Sequence, residues 1–175
     1  MSRIKEVSKH NEVSQALKKI TYGFYIVTSR KDSEEMSTRE KDYIAAATVS
    51  WVSQGSFDPP LVTVAVKKQS DLHETIEKSR IFAVNIVGKD HKDMLSSFAK
   101  DSSVEGNKLN GFSFSSGKTG APILDEVPAY FECELREDVT IGDHSIFVGE
   151  VVNGDTRDAE SVPLVEWDTG MHYGG

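Results

Sequence analysis

Apolar residues at Val13, Ala16, Leu17 and Ile20 follow the i, i+3, i+4, i+7 spacing of one helical face, which predicts an amphipathic helix over roughly Asn11 to Tyr22, ended by Gly23. Phe24 to Ser29 (FYIVTS) then reads as a strand from its β-branched and aromatic content. Lys31 to Asp42 (KDSEEMSTREKD) is nearly all polar or charged and predicts an exposed connection. Strands are expected over Tyr43 to Trp51 and Leu61 to Val66. Ser70 has the character of a helix N-cap, with Asp71 in the first turn, Leu72, Thr75 and Ile76 on one face, and an end near Ser79. Ile81 to Val87 is a further strand, and Asp90 to Lys100 a short helix with Met94, Leu95 and Phe98 facing inward. Asp101 to Val127, rich in Ser, Gly, Asn and Pro, reads mostly as loop. Ala129, Phe131, Cys133 and Leu135 alternate with Glu132, Glu134 and Arg136 in period two, a half-buried strand that puts Cys133 inward. Gly142-Asp143 breaks the chain before a strand over His144 to Val152, and Leu164 to Trp167 is a candidate last strand. Strands outnumber helices and no internal linker or repeat is present. The pattern predicts one domain spanning 1–175, mainly β, a barrel with a few peripheral α-helices rather than alternating βαβ units.

A chain of 175 residues can bury roughly 70% of its unfolded surface, so its core needs no staple. Cys133 is the single cysteine and cannot form an internal disulfide, which points to a reducing compartment. Met1 to Asn11 lacks the apolar core of a secretory signal, and no apolar run approaches the roughly 20 residues of a membrane span. A soluble cytoplasmic protein is expected. Net charge is −8, from 28 acidic and 20 basic residues, and beyond Ala121 the only basic residues are Arg136 and Arg157. Such a surface repels nucleic acid and anionic membranes. A phosphate-bearing ligand must therefore find local positive charge, and Lys67-Lys68 supplies it.

Several motifs fail on spacing or context. Gly117-Lys118-Thr119 resembles the end of a phosphate-binding loop, but five residues separate it from Gly111 where four are needed, and Gly120-Ala121-Pro122 cannot open the required helix. No G-x-G-x-x-G is present, so a nicotinamide would not be held by a Rossmann turn. The histidines at 10, 73, 91, 144 and 172 lack metal-ligand spacing, and no metal site is expected. No serine is framed as G-x-S-x-G, and an inward Cys133 reads as a small hydrophobe rather than a nucleophile.

Ala47 to Val66 (ATVSWVSQGSFDPPLVTVAV) is different. It begins and ends as strand, but its middle carries Thr48, Ser50, Ser53 and Ser56 beside Trp51, Gln54 and Gly55 before Asp58-Pro59-Pro60 halts it. Either the hydroxyls merely satisfy an ordered loop, or they rim a flat ring whose alternating donors and acceptors they match without charge. In Lys67-Lys68-Gln69-Ser70-Asp71, two ammonium groups leave a strand just before a hydroxyl N-cap, where free N–H groups and the helix dipole suit a phosphate. An ordinary solvated cap is the alternative, and Asp71 already offsets part of the dipole.

Thr48-Val49-Ser50-Trp51 followed by Ser53 to Pro60 resembles the T-x-S-x-x-S-x-x-S-x-x-P-P region of the flavin reductase-like family, the FMN-binding split barrels. Gly23 to Thr28 resembles that family's first strand and Phe82 to Ile86 its F-x-V-N strand. Gly106-Asn107-Lys108 with Ala121 to Leu124 resembles its long loop, and Glu132-Cys133-Glu134 and Gly142-Asp143-His144 follow in order. Met171 to Gly175 is similar to the end of flavin reductase modules appended to some diiron flavoproteins. The resemblance covers roughly Leu17 to Tyr173; Lys31 to Asp42 is longer and more charged than the family's turn, and Trp51 stands where smaller residues are common.

The resemblance implies a Greek-key split β-barrel, a homodimer with FMN rather than FAD near its interface, and NADH or NADPH passing hydride to flavin N5. Thr48, Val49, Ser50 and Trp51 would line the isoalloxazine and ribityl chain, with Ser53 in the same hydroxyl series. Ser56, Lys68 and Ser70 would hold the phosphate, and Lys67 would add charge. His144 would lie by the nicotinamide or flavin and Tyr173 would fold over the flavin; a turn cap and a frayed terminus are the structural alternatives. Electrons would pass to free flavin or a redox-protein partner. An FMN electron carrier without nicotinamide activity and a flavin-free interaction barrel are the competing functions.

Overall fold

The computed structural model describes residues 11–31 and 43–175. Among the described residues, helix α1 (residues 11–17) ends earlier than its pattern predicts, and Val13 and Leu17 on it and Ile20 beyond it are exposed. Strands β1 (Tyr25–Lys31), β2 (Tyr43–Val49), β3 (Val52–Phe57) and β4 (Pro60–Lys67) precede helix α2 (Asp71–Ser79). Strand β5 (Ile81–Ile86) leads to helix α3 (Asp93–Ser97) and four short strands: β6 (Val104–Glu105), β7 (Lys108–Leu109), β8 (Phe112–Ser116) and β9 (Pro122–Leu124). The long strands β10 (Ala129–Val139) and β11 (His144–Thr156) follow. Most of the predicted connection from Lys31 to Asp42 lies outside the described residues. Lys31 itself ends β1, buried over the Tyr43 ring with its ammonium 3.6 Å from Glu74.

The main sheet is antiparallel throughout, in the order β2-β1-β5-β10-β11-β4-β3. Its two edge strands, β2 and β3, are separated in sequence only by Ser50 and Trp51. A two-residue link between opposite edges forces the sheet to curl, and the Ala65 N–H, donating to Trp51 O (3.0 Å), extends the β3–β4 ladder into that link. The result is the predicted split barrel, with its opening at Ser50–Trp51. Val27, Val64, Phe82, Cys133 and Phe147 fill the interior, and α2 plugs one end with Leu72 and Ile76. A second core of Phe24, Ile26, Met94, Leu95, Phe98 and Leu164 covers the outer face of β1 and β2. Burial on both faces explains why these strands read as continuous apolar runs.

Three elements depart from their sequence pattern. Residues 52–57 form strand β3 rather than a loop, paired with β4 through a bulge near Gly55 and closed by a cis Asp58–Pro59 bond. Asp101 to Val127 holds β6 to β9 as a small meander against the barrel. Glu132 is buried, not outward: the meander covers its face of β10, and the ladder shifts register between Glu132 and Cys133. Its carboxylate accepts hydrogen bonds from Lys118 N (3.0 Å), Thr119 N (2.8 Å), Thr119 Oγ1 (2.7 Å) and Asn153 Nδ2 (2.6 Å). The Gly117-Lys118-Thr119 turn does cradle an anion, but the anion is the chain's own side chain. Leu164 to Trp167 contributes a single bridge, Gly23 to Val165, before a short turn at Glu166–Asp168.

Candidate active site

A cavity of about 970 Å³ opens at the split. Its walls are the ends of β2 and β4, the start of α2, the segment from Leu95 to Ser102, His144 at the start of β11, and Met171 to Tyr173. Val49, Leu72, Leu95 and Phe98 make the buried apolar part. Two buried polar atoms of residues in its wall, Ser50 Oγ and Trp51 Nε1, have no hydrogen-bond partner. A buried donor left unpaired costs on the order of 1–3 kcal/mol, so two in adjacent residues that line one cavity point to a ligand that pairs them.

Trp51 belongs to an aromatic cluster. Its ring centroid lies 4.9 Å from His144, 5.2 Å edge-on from Tyr173 and 6.3 Å from Tyr22. His144 is bonded at both nitrogens, Nδ1 to Asp143 Oδ1 (2.8 Å) and Nε2 to the Tyr173 hydroxyl (2.9 Å). The His144 hydrogen bond holds the Asp143 carboxyl below its ordinary value. Burial, then the Asp143 charge, raises the Tyr173 phenol. Gly174 packs closely beside this cluster: a Cβ there would stand 3.0 Å from the Tyr22 ring.

Thr48, Val49, Ser50, Trp51, Lys67, Ser70, His144 and Tyr173 all line the cavity. Not all are free to bind. The Thr48 hydroxyl donates to Leu95 O (2.9 Å), and the Ser70 hydroxyl donates to Lys67 O (2.7 Å) while accepting the His73 N–H that caps α2. Lys67, opposite His144 in the β4–β11 ladder, makes no ion pair among the described residues. Lys68, Ser53 and Ser56 lie outside the lining: the Lys68 ammonium bonds Thr140 O (2.5 Å), and the two serines sit on the edge strand β3. Sequence reasoning missed Lys100, Ser102 and Glu166. The first two lie in a polar segment without pattern, and Ser102 Oγ bonds the Ala46 N–H (2.9 Å) to seat that segment on β2. Burial pushes the Cys133 thiol up to about 12, with the Glu132 charge adding to it, so it is no nucleophile. Among the described residues no group of three His, Cys, Asp or Glu side chains forms a metal site, and no helix is long and apolar enough to cross a membrane.

Residues 17–175 match the flavin reductase like domain family. The chain belongs to this family. It is 30% identical over 166 residues to Diflavin flavoprotein A 1 of Synechocystis sp., covering 94% of this chain but only 27% of that protein. It is 29% identical to the Ferric-chelate reductase (NAD(P)H) of Archaeoglobus fulgidus, with 87% of each chain covered. Among solved structures, the flavin reductase HpaC complexed with NADP+ superposes with a TM-score of 0.71 at 25% identity, covering 95% of this chain and 97% of that one. The residues of this flavin reductase-like chain fit a flavin. The unpaired Ser50 hydroxyl and Trp51 N–H suit the polar edge of a ring whose flat faces suit the apolar part of the cavity.

Proposed function

We propose that this chain is an NAD(P)H-dependent flavin oxidoreductase that holds FMN in the cavity at the split. The observation that carries the reading is the pair of unpartnered buried atoms, Ser50 Oγ and Trp51 Nε1, in two adjacent residues that line a cavity of about 970 Å³. Bound there, the flavin supplies at N5 the acceptor for hydride from reduced nicotinamide. The chain's own part is orientation and exclusion of water: Ser50 and Trp51 pair the ring's edge, while Val49, Leu95 and Phe98 keep its surroundings dry. Lys67 beside the N-terminus of α2 offers one compact monophosphate site, which favours FMN over FAD. A homodimer is supported by apolar surface that a lone copy leaves in water: Phe57 is 90% exposed, Ile141 is 93% exposed, and the cross-strand pair Val139–Ile146 lies open. The single buried Cys133 supports a cytoplasmic setting, and free flavin or a redox protein would take the electrons.

The test is to load purified protein with FMN and add NADH or NADPH without oxygen. Loss of the flavin's visible absorbance is expected with at least one donor. Retained FMN that neither donor bleaches would make the chain an electron carrier, and failure to bind flavin at all would make it an interaction barrel.

A further inference from the structure

Glu166 is only 3% exposed, in a third of the chain nearly devoid of cations. Its own N–H donates to Tyr22 O (2.9 Å), and its carbonyl accepts from Thr169 N (3.0 Å) and Thr169 Oγ1 (2.8 Å). Thr169 Oγ1 in turn accepts the Met171 N–H (3.0 Å). The carboxylate accepts the Tyr173 N–H at 2.7 Å, with His172 Nδ1 at 3.9 Å from the same oxygen. Burying a carboxylate costs several kcal/mol. Water could satisfy one backbone N–H of an exposed tail more cheaply. What the carboxylate adds is a fixed position for Tyr173.

That position has a consequence at the cavity. With its N–H held by Glu166 and Gly174 packed on Tyr22, Tyr173 sets its hydroxyl on His144 Nε2 and its ring edge on Trp51. A carboxylate only accepts, so the Asp143 contact requires a proton on His144 Nδ1, and when Nε2 carries none it accepts the Tyr173 O–H. The Asp143 side chain is 90% exposed and is a weak hold by itself. Tyr173 supplies the second point that stops the imidazole turning. We infer that Glu166 is a positioning residue that acts through Tyr173 to fix the His144 ring at the cavity wall. Its value to hydride transfer rests on the flavin reductase reading above; the clamp itself does not.

The flavin-free protein labelled with nitrogen-15 tests the clamp directly, through long-range proton–nitrogen spectra of the His144 ring, identified by comparison with His144→Ala. The wild type should show the Nδ1–H tautomer. Tyr173→Phe and Glu166→Met should both move the Nε2 signal, while Glu166→Gln, which keeps an acceptor oxygen, should restore it. With FMN bound and saturating NADH or NADPH, Tyr173→Phe and Glu166→Met should each slow flavin reduction about tenfold with FMN affinity held. The double variant should be no slower than the slower single one, because both act along one path. Wild-type His144 signals in Glu166→Met, or in Tyr173→Phe should the former fail to fold, would overturn the clamp. So would losses that multiply in the double variant, or FMN affinity falling in step with rate. A wild type that never reduces flavin defeats the functional reading instead, and the imidazole spectra still decide the clamp.

Discussion

Glu132→Gln should cost about 2–6 kcal/mol of folding stability at neutral pH, an effect worked from four hydrogen bonds. The two carboxylate oxygens each accept two donors, Thr119 N and Oγ1 on one and Lys118 N and Asn153 Nδ2 on the other. A carboxamide keeps one oxygen and turns an NH₂ toward at least one backbone N–H that cannot move away. Asn153 can flip its amide to meet the new donor, so the loss centres on one orphaned backbone group and the missing charge, each on the order of 1–3 kcal/mol. The pH dependence has a definite sign. Burial raises the Glu132 pKa, but the hydrogen bonds, Asn153 first, outweigh it and leave the group below its ordinary value. A depressed carboxyl contributes stability that is complete above its unfolded pKa, about 4.3, and is lost as pH falls through the lower folded value. Gln titrates nothing there. The gap between wild type and Glu132→Gln should therefore be widest near neutrality and narrow in acid. Urea unfolding of both proteins at neutral pH and at about pH 3.5 reads it. A gap below about 0.5 kcal/mol at neutral pH, or one that stays constant into acid, refutes the account.

Lys67→Ala should weaken FMN binding by about 1.5–3 kcal/mol, measured by flavin fluorescence titration, whereas Lys68→Ala should cost clearly less because its ammonium is held on Thr140 outside the cavity. Equal losses would move the phosphate toward Lys68. Ser50→Ala should weaken FMN binding yet leave the flavin-free protein equally stable or more so, since it deletes a buried hydroxyl with no partner; a flavin-free protein that melts earlier would show that Ser50 is structural. His144→Ala should slow reduction of bound FMN about tenfold to a hundredfold, or ~1.4–2.7 kcal/mol, by stopped flow. Unchanged reduction with a lowered melting temperature would make His144 a turn contact only.

The barrel strands were legible because β-branched runs such as FYIVTS and YIAAATV keep their character when both faces are buried. Strand β3 was not. An edge strand wet on both sides has no apolar face, so V-S-Q-G-S-F carries no period to read. Glu132 and Glu166 were missed for a related reason: burial of a single anion follows from its hydrogen-bond partners, and those come from segments 13 or more residues away for Glu132 and from the chain's tail for Glu166. The helical pattern of α1 was read correctly as amphipathic, but its apolar face meets solvent in the single chain. At the site, hydroxyl spacing located Ser50 and Trp51, but Ser53 and Ser56 of the same motif, and Lys68 of the next segment, stand outside the cavity. A linear motif gives no sense of which residues a bulge and an edge strand turn away.

The placement of the site follows from the closure of the barrel. Every interior strand has its backbone paired on both sides, so the polar groups free to meet a ligand must come from where the sheet fails to close. Ser50 and Trp51 are the two residues that carry the chain from one edge to the other, and the Ala65–Trp51 hydrogen bond satisfies only part of that crossing. Both residues line the cavity. A small hydrophobic pair would seal it and gain stability. A serine and a tryptophan with unsatisfied buried atoms stand there instead, at a cost on the order of 1–3 kcal/mol for each orphan in the empty protein. A ligand that pairs them recovers that cost on binding, which couples flavin affinity to the stability of the split itself. The same residues should therefore limit how stable the empty barrel can be and how tightly it can hold its ring.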